Sequence, residues 1–444
     1  MPLNLNSQDV DFARRFANFL DGKRDDVADV ESVVAEIIQA VRKQGDAALL
    51  DYTARFDRLE LSSATLRVSA EELAAAESAC DPETLAALRL ASDRIRAYHE
   101  KQMPENQDYR DAAGVRLGAR WTPLSAVGLY VPGGTASYPS SVLMNVIPAQ
   151  VAGVKRLAVT TPTPEGKTNP LVLAALSICG VSEVYRIGGA QAVAALAYGT
   201  ASIAPVDKIT GPGNAFVAMA KRQVFGRVGI DMIAGPSEIL VVADKRNNPV
   251  WVAADLLSQA EHDASSQSIL ITDDGAFGTA VARAVEVHLQ SLSRAEIARA
   301  SWQSHGAIIQ VQDLAEAPAL VDAIAPEHLE LAVDDPDALM AKISHAGSIF
   351  LGRNTPEAIG DYVAGPNHVL PTERSARFSS GLNVLDFMKR TSFLGCDAAS
   401  LRAIGPAAIK LAKAEGLTAH ALSVALRLED GGQETGEASA PDSD

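Results

Sequence analysis

The sequence of 444 residues is poor in cysteine and in aromatic side chains. Its three cysteines, Cys80, Cys179 and Cys396, are widely separated and odd in number, so neither a disulfide framework nor a cysteine zinc site is expected. The N-terminus lacks the basic and apolar regions of a signal peptide, and no run of about 18 apolar residues suggests a membrane span. These absences predict a soluble cytoplasmic protein without a membrane partner.

Positive charge is also scarce. The chain has 39 Lys and Arg residues against 55 Asp and Glu residues, which gives a formal net charge of −16. Such a charge repels nucleic acid and anionic membranes at long range, so no nucleic-acid partner is expected. A small ligand that carries positive charge would be tolerated or attracted.

Aliphatic residues are abundant, and strands alternate with helices. A hydrophobic content of 47% with only 5% aromatic residues is typical of an α/β protein with buried parallel strands. Apolar runs begin near residues 126, 157 and 183, and again near 239, 268, 306 and 347, with helical stretches between them. This alternation predicts right-handed crossovers and two parallel sheets. Residues 1–104 have helical periodicity, and the acidic tail 429–444 is expected to be disordered.

Two glycine-rich turns follow predicted strands in the first set. One begins at Pro132 and the other is Gly211-Pro-Gly-Asn, and each opens a helix. Turns of this kind direct backbone N–H groups at phosphate, which favours a nucleotide or phosphorylated ligand. Neither turn completes Gly-x-Gly-x-x-Gly, so the alternative remains that the glycines only permit tight turns.

A metal half-site is predicted at the end of a later helix. Asn248 is a good N-cap and Pro249 suits the first helical position. Three residues apart, Gln259 and His262 share a face and can converge on one cation, although two ligands do not make a closed site. The alternative is a polar helix end whose side chains are solvated.

Glu327 and His328 are neighbours where a loop meets an apolar segment. Such an acid and base could each move a proton, provided that the surroundings bring their pKa values toward neutrality. The alternative is that Glu327 and His328 are only polar, solvated residues of a loop. In the glycine-bracketed loop 360–368, Asp361 and His368 are candidate ligand or substrate contacts, or else parts of a capped turn.

The last candidates lie near the C-terminus. His420 falls in the first turn of the final predicted helix, where the helix dipole keeps imidazole neutral and able to bind a metal. Glu415 could face a cationic ligand nearby. A plain helix boundary is the alternative for both residues.

Taken together, these segments resemble the histidinol dehydrogenase family over about residues 10–428. The motifs that carry the resemblance, in the family's order, are Tyr130-Val-Pro-Gly-Gly, Gly211-Pro-Gly-Asn, Ala234-Gly-Pro-Ser-Glu, Asp255-Leu-Leu-Ser-Gln-Ala-Glu-His, Pro326-Glu-His-Leu, Gly365-Pro-Asn-His-Val-Leu-Pro-Thr and Glu415-Gly-Leu-Thr-Ala-His. The resemblance implies a four-electron oxidation of L-histidinol to L-histidine through the aldehyde, with NAD and Zn²⁺ as cofactors.

The resemblance also implies a role for each site residue. Zinc ligands are implied at Gln259, His262, Asp361 and His420, with His420 and Glu415 supplied by the second subunit of a homodimer. Substrate contacts are implied at those four ligands and at Ser237, His328, His368 and Glu415, and NAD contacts at Tyr130, Gln191 and Asn214. In the implied mechanism His328 takes the hydroxyl proton as hydride leaves for NAD, and Glu327 activates the water that adds to the aldehyde.

The implied fold is two Rossmann-like parallel-sheet domains, the second inserted in the first. Residues 24–129 and 238–381 form the α/β domain with the metal and catalytic residues, and 130–237 form the NAD-binding domain. A helical segment 1–23 precedes them, and a small helical extension 382–428 reaches the partner subunit. Two rival functions remain: a related metal-dependent NAD alcohol dehydrogenase acting on another small amino or sulfo alcohol, and a zinc hydrolase that uses Glu327 as base.

Overall fold

The computed structural model describes residues 2–22, 30–133, 138–233 and 235–429. The acidic tail, whose disorder the sequence predicts, lies outside these residues apart from Glu429, which ends the last helix. None of the helices in the described ranges is both long enough and apolar enough to cross a membrane.

The secondary structure alternates between strands and helices through most of the chain. The strands are β1 (Leu3–Asn6), β2 (Gln107–Arg110), β3 (Arg116–Pro123), β4 (Ala126–Tyr130), β5 (Arg156–Thr160), β6 (Glu183–Tyr185), β7 (Lys208–Thr210), β8 (Gly229–Ile230), β9 (Glu238–Ala243), β10 (Gln267–Thr272), β11 (Ala307–Gln310), β12 (His328–Ala332), β13 (Ser348–Leu351) and β14 (Met388–Gly395). The helices are α1 (Phe12–Asp21), α2 (Val30–Gln44), α3 (Asp46–Asp57), α4 (Ala70–Ser78), α5 (Pro82–Glu100), α6 (Pro139–Val151), α7 (Pro170–Ile178), α8 (Gly189–Tyr198), α9 (Ala215–Val224), α10 (Pro249–Ala260), α11 (Gly275–His288), α12 (Ala295–His305), α13 (Ala317–Ile324), α14 (Pro336–Met340), α15 (Glu357–Ile359), α16 (Ala398–Ala414) and α17 (Thr418–Glu429).

The chain divides into two compact units, of which the first comprises residues 1–103 and 124–387. This unit contains a five-stranded sheet in the order β6-β5-β4-β7-β8 and a six-stranded sheet in the order β1-β11-β10-β9-β12-β13. All neighbours in both sheets are parallel. The predicted fold class, α/β with two parallel sheets, is confirmed.

The five-stranded sheet is built around β4, whose five residues are all buried. Because β4 pairs in parallel with both β5 and β7, the turns after Tyr130 and Thr210 leave the sheet at the same edge. Buried side chains of α2 and α3 share a core with this sheet and with α8 and α9. Residues 30–57 therefore pack against the five-stranded sheet. Helical periodicity shows that a helix has a buried face but not which sheet covers it, and the predicted domain limits stay predictions.

In the six-stranded sheet β9 pairs with β12, which lies next to the edge strand β13, so that His328 lies opposite Ile239. Helix α10 connects β9 to β10 and packs on the sheet through Val252, Leu256 and Leu257. In such a crossover the helix runs antiparallel to the strands. The C-terminal end of α10 therefore returns to the amino ends of β9 and β12.

Several strands were not predicted, namely β1, β2, β3, β8, β12 and β14. Strand β1 pairs with β11 at the edge of the six-stranded sheet, in a segment that the sequence analysis assigned to a helical piece. Among the four residues of β1 only Leu5 is buried. One buried side chain does not make the alternating or continuous apolar pattern from which a strand is predicted.

The second unit comprises residues 104–123 and, within the described ranges, 388–429. It contains an antiparallel sheet in the order β14-β3-β2 and the helices α16 and α17. The predicted C-terminal extension is thus helical after residue 397 but begins with β14. That strand forms by pairing with β3, a partner distant in sequence, and its side chains are mostly exposed, so apolar alternation does not mark it.

Candidate functional site

A cavity of about 720 Å³ in the first unit brings together most of the predicted site residues. Those that line it are Tyr130, Asn214, Ser237, Gln259, His262, Glu327, His328, Asp361 and His368. They come from both parallel sheets, since the glycine-rich turns belong to one sheet and the acid/base pair to the other. The described part of the chain thus gathers the two sets of residues into one space.

The predicted metal half-site lies at the end of α10. The Asn248 side chain accepts the N–H of Val250 at 3.0 Å, and Pro249 opens the helix, as predicted. Gln259 is 1% exposed, whereas His262 lies just beyond the helix, where its N–H is donated to Gln259 O at 3.1 Å. Burial lowers the pKa of His262, and the negative charge of Asp361 opposes this only in part. A neutral imidazole is the form that binds a metal.

Glu327 and His328 are held by the neighbouring strand. Glu327 Oε2 accepts the N–H of Glu238 at 2.9 Å, and the N–H of Glu327 is donated to Glu238 Oε2 at 3.2 Å. Nδ1 of His328 lies 2.9 Å from the carbonyl oxygen of Glu238. This contact leaves Nε2 of His328 to face the interior of the site.

Glu327 and His328 shift each other's pKa. Burial raises the pKa of Glu327 to about 8, against the opposing effect of His328. For His328 burial alone would lower the pKa, but the carboxylates of Glu327 and Asp361 raise it to about 10. Since His328 Nδ1 and Glu327 Oε2 are 3.6 Å apart, the two groups titrate as a pair. A cation bound beside them would lower both pKa values, which is the direction that a general base needs.

Asp361 lies in a π-helical turn, Gly360–Ala364, that follows α15. Its Oδ1 is 3.5 Å from His328 Nε2, and Glu357 Oε1 is 3.8 Å from the same nitrogen. Burial alone would raise the pKa of Asp361, but interactions with the imidazoles of His328 and His368 hold it well below its usual range. Ligand atoms of His328, Glu357 and Asp361 all lie within 4.8 Å of one another. This part of the cavity is therefore suited to a cation.

His368 is oriented by the same turn. Its Nδ1 lies 2.9 Å from the backbone oxygen of Asp361, and burial lowers its pKa, with Asp361 opposing this shift. Asp361 and His368, the candidate contacts of the loop 360–368, both line the cavity, and their roles stay predictions.

The sequence analysis missed several buried carboxyl groups at the site. Glu238 and Glu357 are 4% and 1% exposed, and Glu330 accepts the N–H of Glu357 at 2.7 Å. Burial, followed by the negative charge of Asp255, raises the pKa of Glu330 well above its usual value. Glu238 was visible only as the last residue of the Gly-Pro-Ser-Glu motif, and nothing in the sequence marks Glu357. Glu238 and Glu330 thus hold backbone N–H groups next to the acid/base pair.

The predicted cofactor residues lie along the five-stranded sheet. Tyr130 is 4% exposed, and its hydroxyl oxygen accepts the N–H of Gly189 at 3.0 Å. Burial raises the pKa of Tyr130 to about 12, so the hydroxyl keeps its proton. Asn214 caps α9 by accepting the N–H of Val217 at 3.2 Å. Gln191 is buried next to Gly189 and does not line the cavity, and its Oε1 has no hydrogen-bond partner within the described ranges.

Glu415 and His420 belong to the second unit. Glu415 follows α16 and His420 lies in the first turn of α17, as predicted, and both are exposed. Their contribution to a site in another subunit stays a prediction.

Comparisons with known proteins agree on one family. The histidinol dehydrogenase family model matches residues 20–428. The histidinol dehydrogenase of Rhodospirillum rubrum is 66% identical over 97% of this chain and 100% of its own length, and that of Ruegeria pomeroyi is 64% identical over 97% and 99%. The crystal structure of histidinol dehydrogenase from Elizabethkingia anophelis covers 97% of this chain and 98% of its own, with 36% identity and a TM-score of 0.92. The chain therefore belongs to the histidinol dehydrogenase family.

Proposed function

We propose that this protein oxidises L-histidinol to L-histidine, through L-histidinaldehyde, in histidine biosynthesis, and that it uses Zn²⁺ and NAD to do so. Relatives at 66% and 64% identity over nearly the whole chain are named for the oxidation of histidinol. The observation that carries the proposal is the shared cavity, which is lined by an acid/base pair, by metal-ligand side chains and by a glycine-rich turn.

The side chains at the end of α10 and in the π-helical turn fit a zinc ion. Gln259, His262 and Asp361 offer one amide oxygen, one imidazole nitrogen and one carboxylate oxygen to the same cavity. Zn²⁺ accepts nitrogen and oxygen donors of this kind, and a catalytic site leaves positions open for substrate. We propose these three residues as ligands, with His420 of a second subunit as the fourth. When bound, zinc would hold the imidazole and amine of histidinol.

A second part of the cavity lining fits a dinucleotide. Pro132, Gly133, Pro212, Gly213 and Asn214 line it, next to Tyr130. The N-terminus of α9 lies directly after this loop, and helix N-termini favour phosphate groups. We propose Tyr130, Gln191 and Asn214 as NAD contacts; NAD, when bound, accepts hydride from the substrate carbon.

The chain's own residues then supply orientation and proton transfer. His328 takes the hydroxyl proton during alcohol oxidation, because its Nε2 faces the part of the cavity where the ligand atoms converge. Glu327 takes a proton from the water that adds to the aldehyde. Its burial supports this role, since burial brings the pKa of the carboxyl group up from its usual range toward neutrality, and a bound cation would keep it from rising further. Ser237, His368 and Glu415 are proposed to contact the substrate.

We further propose a homodimer in the cytoplasm, with Glu415 and His420 donated across subunits. The exposure of both residues supports this arrangement, since each is accessible to another chain. A cavity rich in carboxylates also matches a substrate that carries an ammonium group.

Formation of NADH with L-histidinol and with other small amino alcohols, each with and without a chelator, tests the proposal. We expect NADH only with the metal present, and a kcat/KM for L-histidinol well above that for the other alcohols. A preference for another alcohol would point to a related dehydrogenase. Absence of NADH with every alcohol would refute the proposed oxidation and favour a hydrolase.

A further inference from the structure

A buried ion pair holds the loop Gly211–Asn214, which connects β7 to α9. Lys221 Nζ donates to the carbonyl oxygen of Gly211 at 3.0 Å, and Asp231 Oδ2 accepts the N–H of the same residue at 2.8 Å. Lys221 and Asp231 also form an ion pair with each other. Both backbone polar groups of Gly211 are thus bonded to one pair of charges.

The ion pair lies behind the cavity wall. The side chains of Lys221 and Asp231 are 3% and 1% exposed, and neither residue lines the cavity, whereas Gly213 and Asn214 do. Burying two charges costs desolvation energy that their attraction does not reliably repay, so such a pair is weak evidence for a role in stability alone. Its hydrogen bonds to Gly211 indicate instead that the pair fixes the conformation of the loop.

The loop needs such a constraint because its first residue has an uncommon conformation. Gly211 has a φ of +112°, and a Cβ at this position would lie 2.1 Å from the carbonyl oxygen of Tyr130. A glycine that must adopt this φ loses much conformational freedom on folding. The hydrogen bonds that Gly211 makes with the charged side chains of Lys221 and Asp231 offset this entropic cost, and they keep the loop packed on the end of β4.

The ion pair also leaves the partial positive charge at the N-terminus of α9 available to a ligand. Lys221 extends from the second turn of α9 back to Gly211, the first residue of the loop, and a lone cation near a helix N-terminus is unfavourable. Asp231 neutralises that cation. The partial positive charge of the helix end therefore remains for an anionic group in the cavity.

We propose that Lys221 and Asp231 are positioning residues for the dinucleotide. This inference rests on the proposed function, in which the loop Gly211–Asn214 binds NAD. The pair contacts neither substrate nor reacting atoms; it holds the loop in the conformation in which Gly213, Asn214 and the N-terminus of α9 line the cavity. Loss of the pair weakens the binding of NAD and leaves zinc and histidinol binding unchanged, since their ligands belong to other elements.

The test compares Lys221→Met and Asp231→Asn with the control Lys208→Met. Lys208 lies in β7 and, like Lys221, donates to a backbone oxygen and pairs with a carboxylate, here those of Asp386 at 2.8 and 2.9 Å, but it is not bonded to the loop. NADH binding is measured by fluorescence titration, zinc by atomic absorption, histidinol binding by calorimetry, and stability by thermal unfolding. We expect the dissociation constant for NADH to rise about tenfold in both test variants, as the loss of one charged hydrogen bond implies.

In the control we expect less than a twofold change in the dissociation constant for NADH, with a fall in unfolding temperature similar to that of the test variants. An equal loss of NADH affinity in all three variants, or no loss in either test variant, would overturn the positioning role. If one test variant fails to fold, the other decides.

Hydrogen exchange on the wild-type protein gives a second readout, in which NADH should protect the amides of residues 213–217; unprotected amides would overturn the inference. Failure of the wild type to bind NADH at all would instead refute the proposed function.

Discussion

Glu238 and Glu327 each donate a backbone N–H to the carboxylate of the other, at 2.9 and 3.2 Å. The two residues stand at the amino ends of the neighbouring strands β9 and β12, so the reciprocal bonds join the strand ends that carry the acid/base pair. The carbonyl oxygen of Glu238 also lies 2.9 Å from His328 Nδ1. One residue outside the predicted site thus orients both proposed catalytic side chains.

Replacement of Glu238 by glutamine should destabilise the protein and slow turnover. The Glu238 carboxylate accepts N–H groups from Glu327 and Glu373 on different oxygens, and an amide can accept only one of them. We expect the free energy of unfolding in urea to fall by about 1–3 kcal/mol, with a lower kcat. The control Glu286→Gln loses an exposed ion pair with Arg299 and should change stability by about 0–1 kcal/mol. Equal effects in the two variants would contradict this role of Glu238.

Glu327→Gln should separate the two oxidations. The substitution keeps the shape of the side chain and removes the base that we assign to water activation, so NADH formation from L-histidinaldehyde should fall about 100-fold or more. Single-turnover oxidation of L-histidinol to the aldehyde should lose less, because His328 remains. Equal losses in both steps, measured by stopped-flow absorbance of NADH, would assign Glu327 to a different role.

The carboxyl groups of Asp255, which is half-buried, and Glu330, which is buried, should make stability depend on pH. Burial raises the pKa of Asp255 to about 6, and burial with the charge of Asp255 raises that of Glu330. Because both values are higher in the folded protein than in the unfolded chain, the stability that the protonated pair contributes is present below about pH 4 and is lost as pH rises through about 6.

Asp255→Asn should therefore stabilise the protein at pH 8 more than at pH 5, relative to wild type. The expected difference in the free energy of unfolding is on the order of 1 kcal/mol, measured in urea at both pH values with the same metal content. An effect of Asp255→Asn that is independent of pH would show that the pair is ionised in the folded protein across this range.

His262→Asn should reduce the zinc content of the purified protein and abolish NADH formation from L-histidinol, because it removes a proposed ligand. His345→Asn is the matched control, since His345 does not line the cavity. We expect the control to keep its zinc, measured by atomic absorption. Full zinc occupancy in His262→Asn would exclude this residue as a ligand.

The fold class and the individual elements were largely predictable from local patterns. Aliphatic runs between helical stretches predicted two parallel sheets, and Asn248 with Pro249 marked the start of α10. Strands β1 and β14 were not predictable in the same way, because each forms mainly through pairing with a distant partner. Likewise, the amphipathic pattern of α2 could not show that it covers the five-stranded sheet.

The site was predictable only in its parts. Glu327 with His328, and Gln259 with His262, were visible as local pairs, but their meeting follows from the return of α10 to the amino ends of β9 and β12. Glu357 carries no sequence signal, since its place beside His328 Nε2 depends on the turn that follows β13. The bonds of Lys221 and Asp231 to Gly211 are likewise tertiary contacts.

The number of NADH molecules formed for each L-histidinol consumed tests the central claim most directly. Oxidation of an alcohol to an acid removes four electrons, and each NAD accepts two of them as hydride. With the zinc-loaded enzyme and limiting L-histidinol, we predict two NADH and one L-histidine per substrate, and none after the metal is removed. A ratio of one with the aldehyde as final product, or undiminished NADH formation by the metal-free protein, would contradict the account.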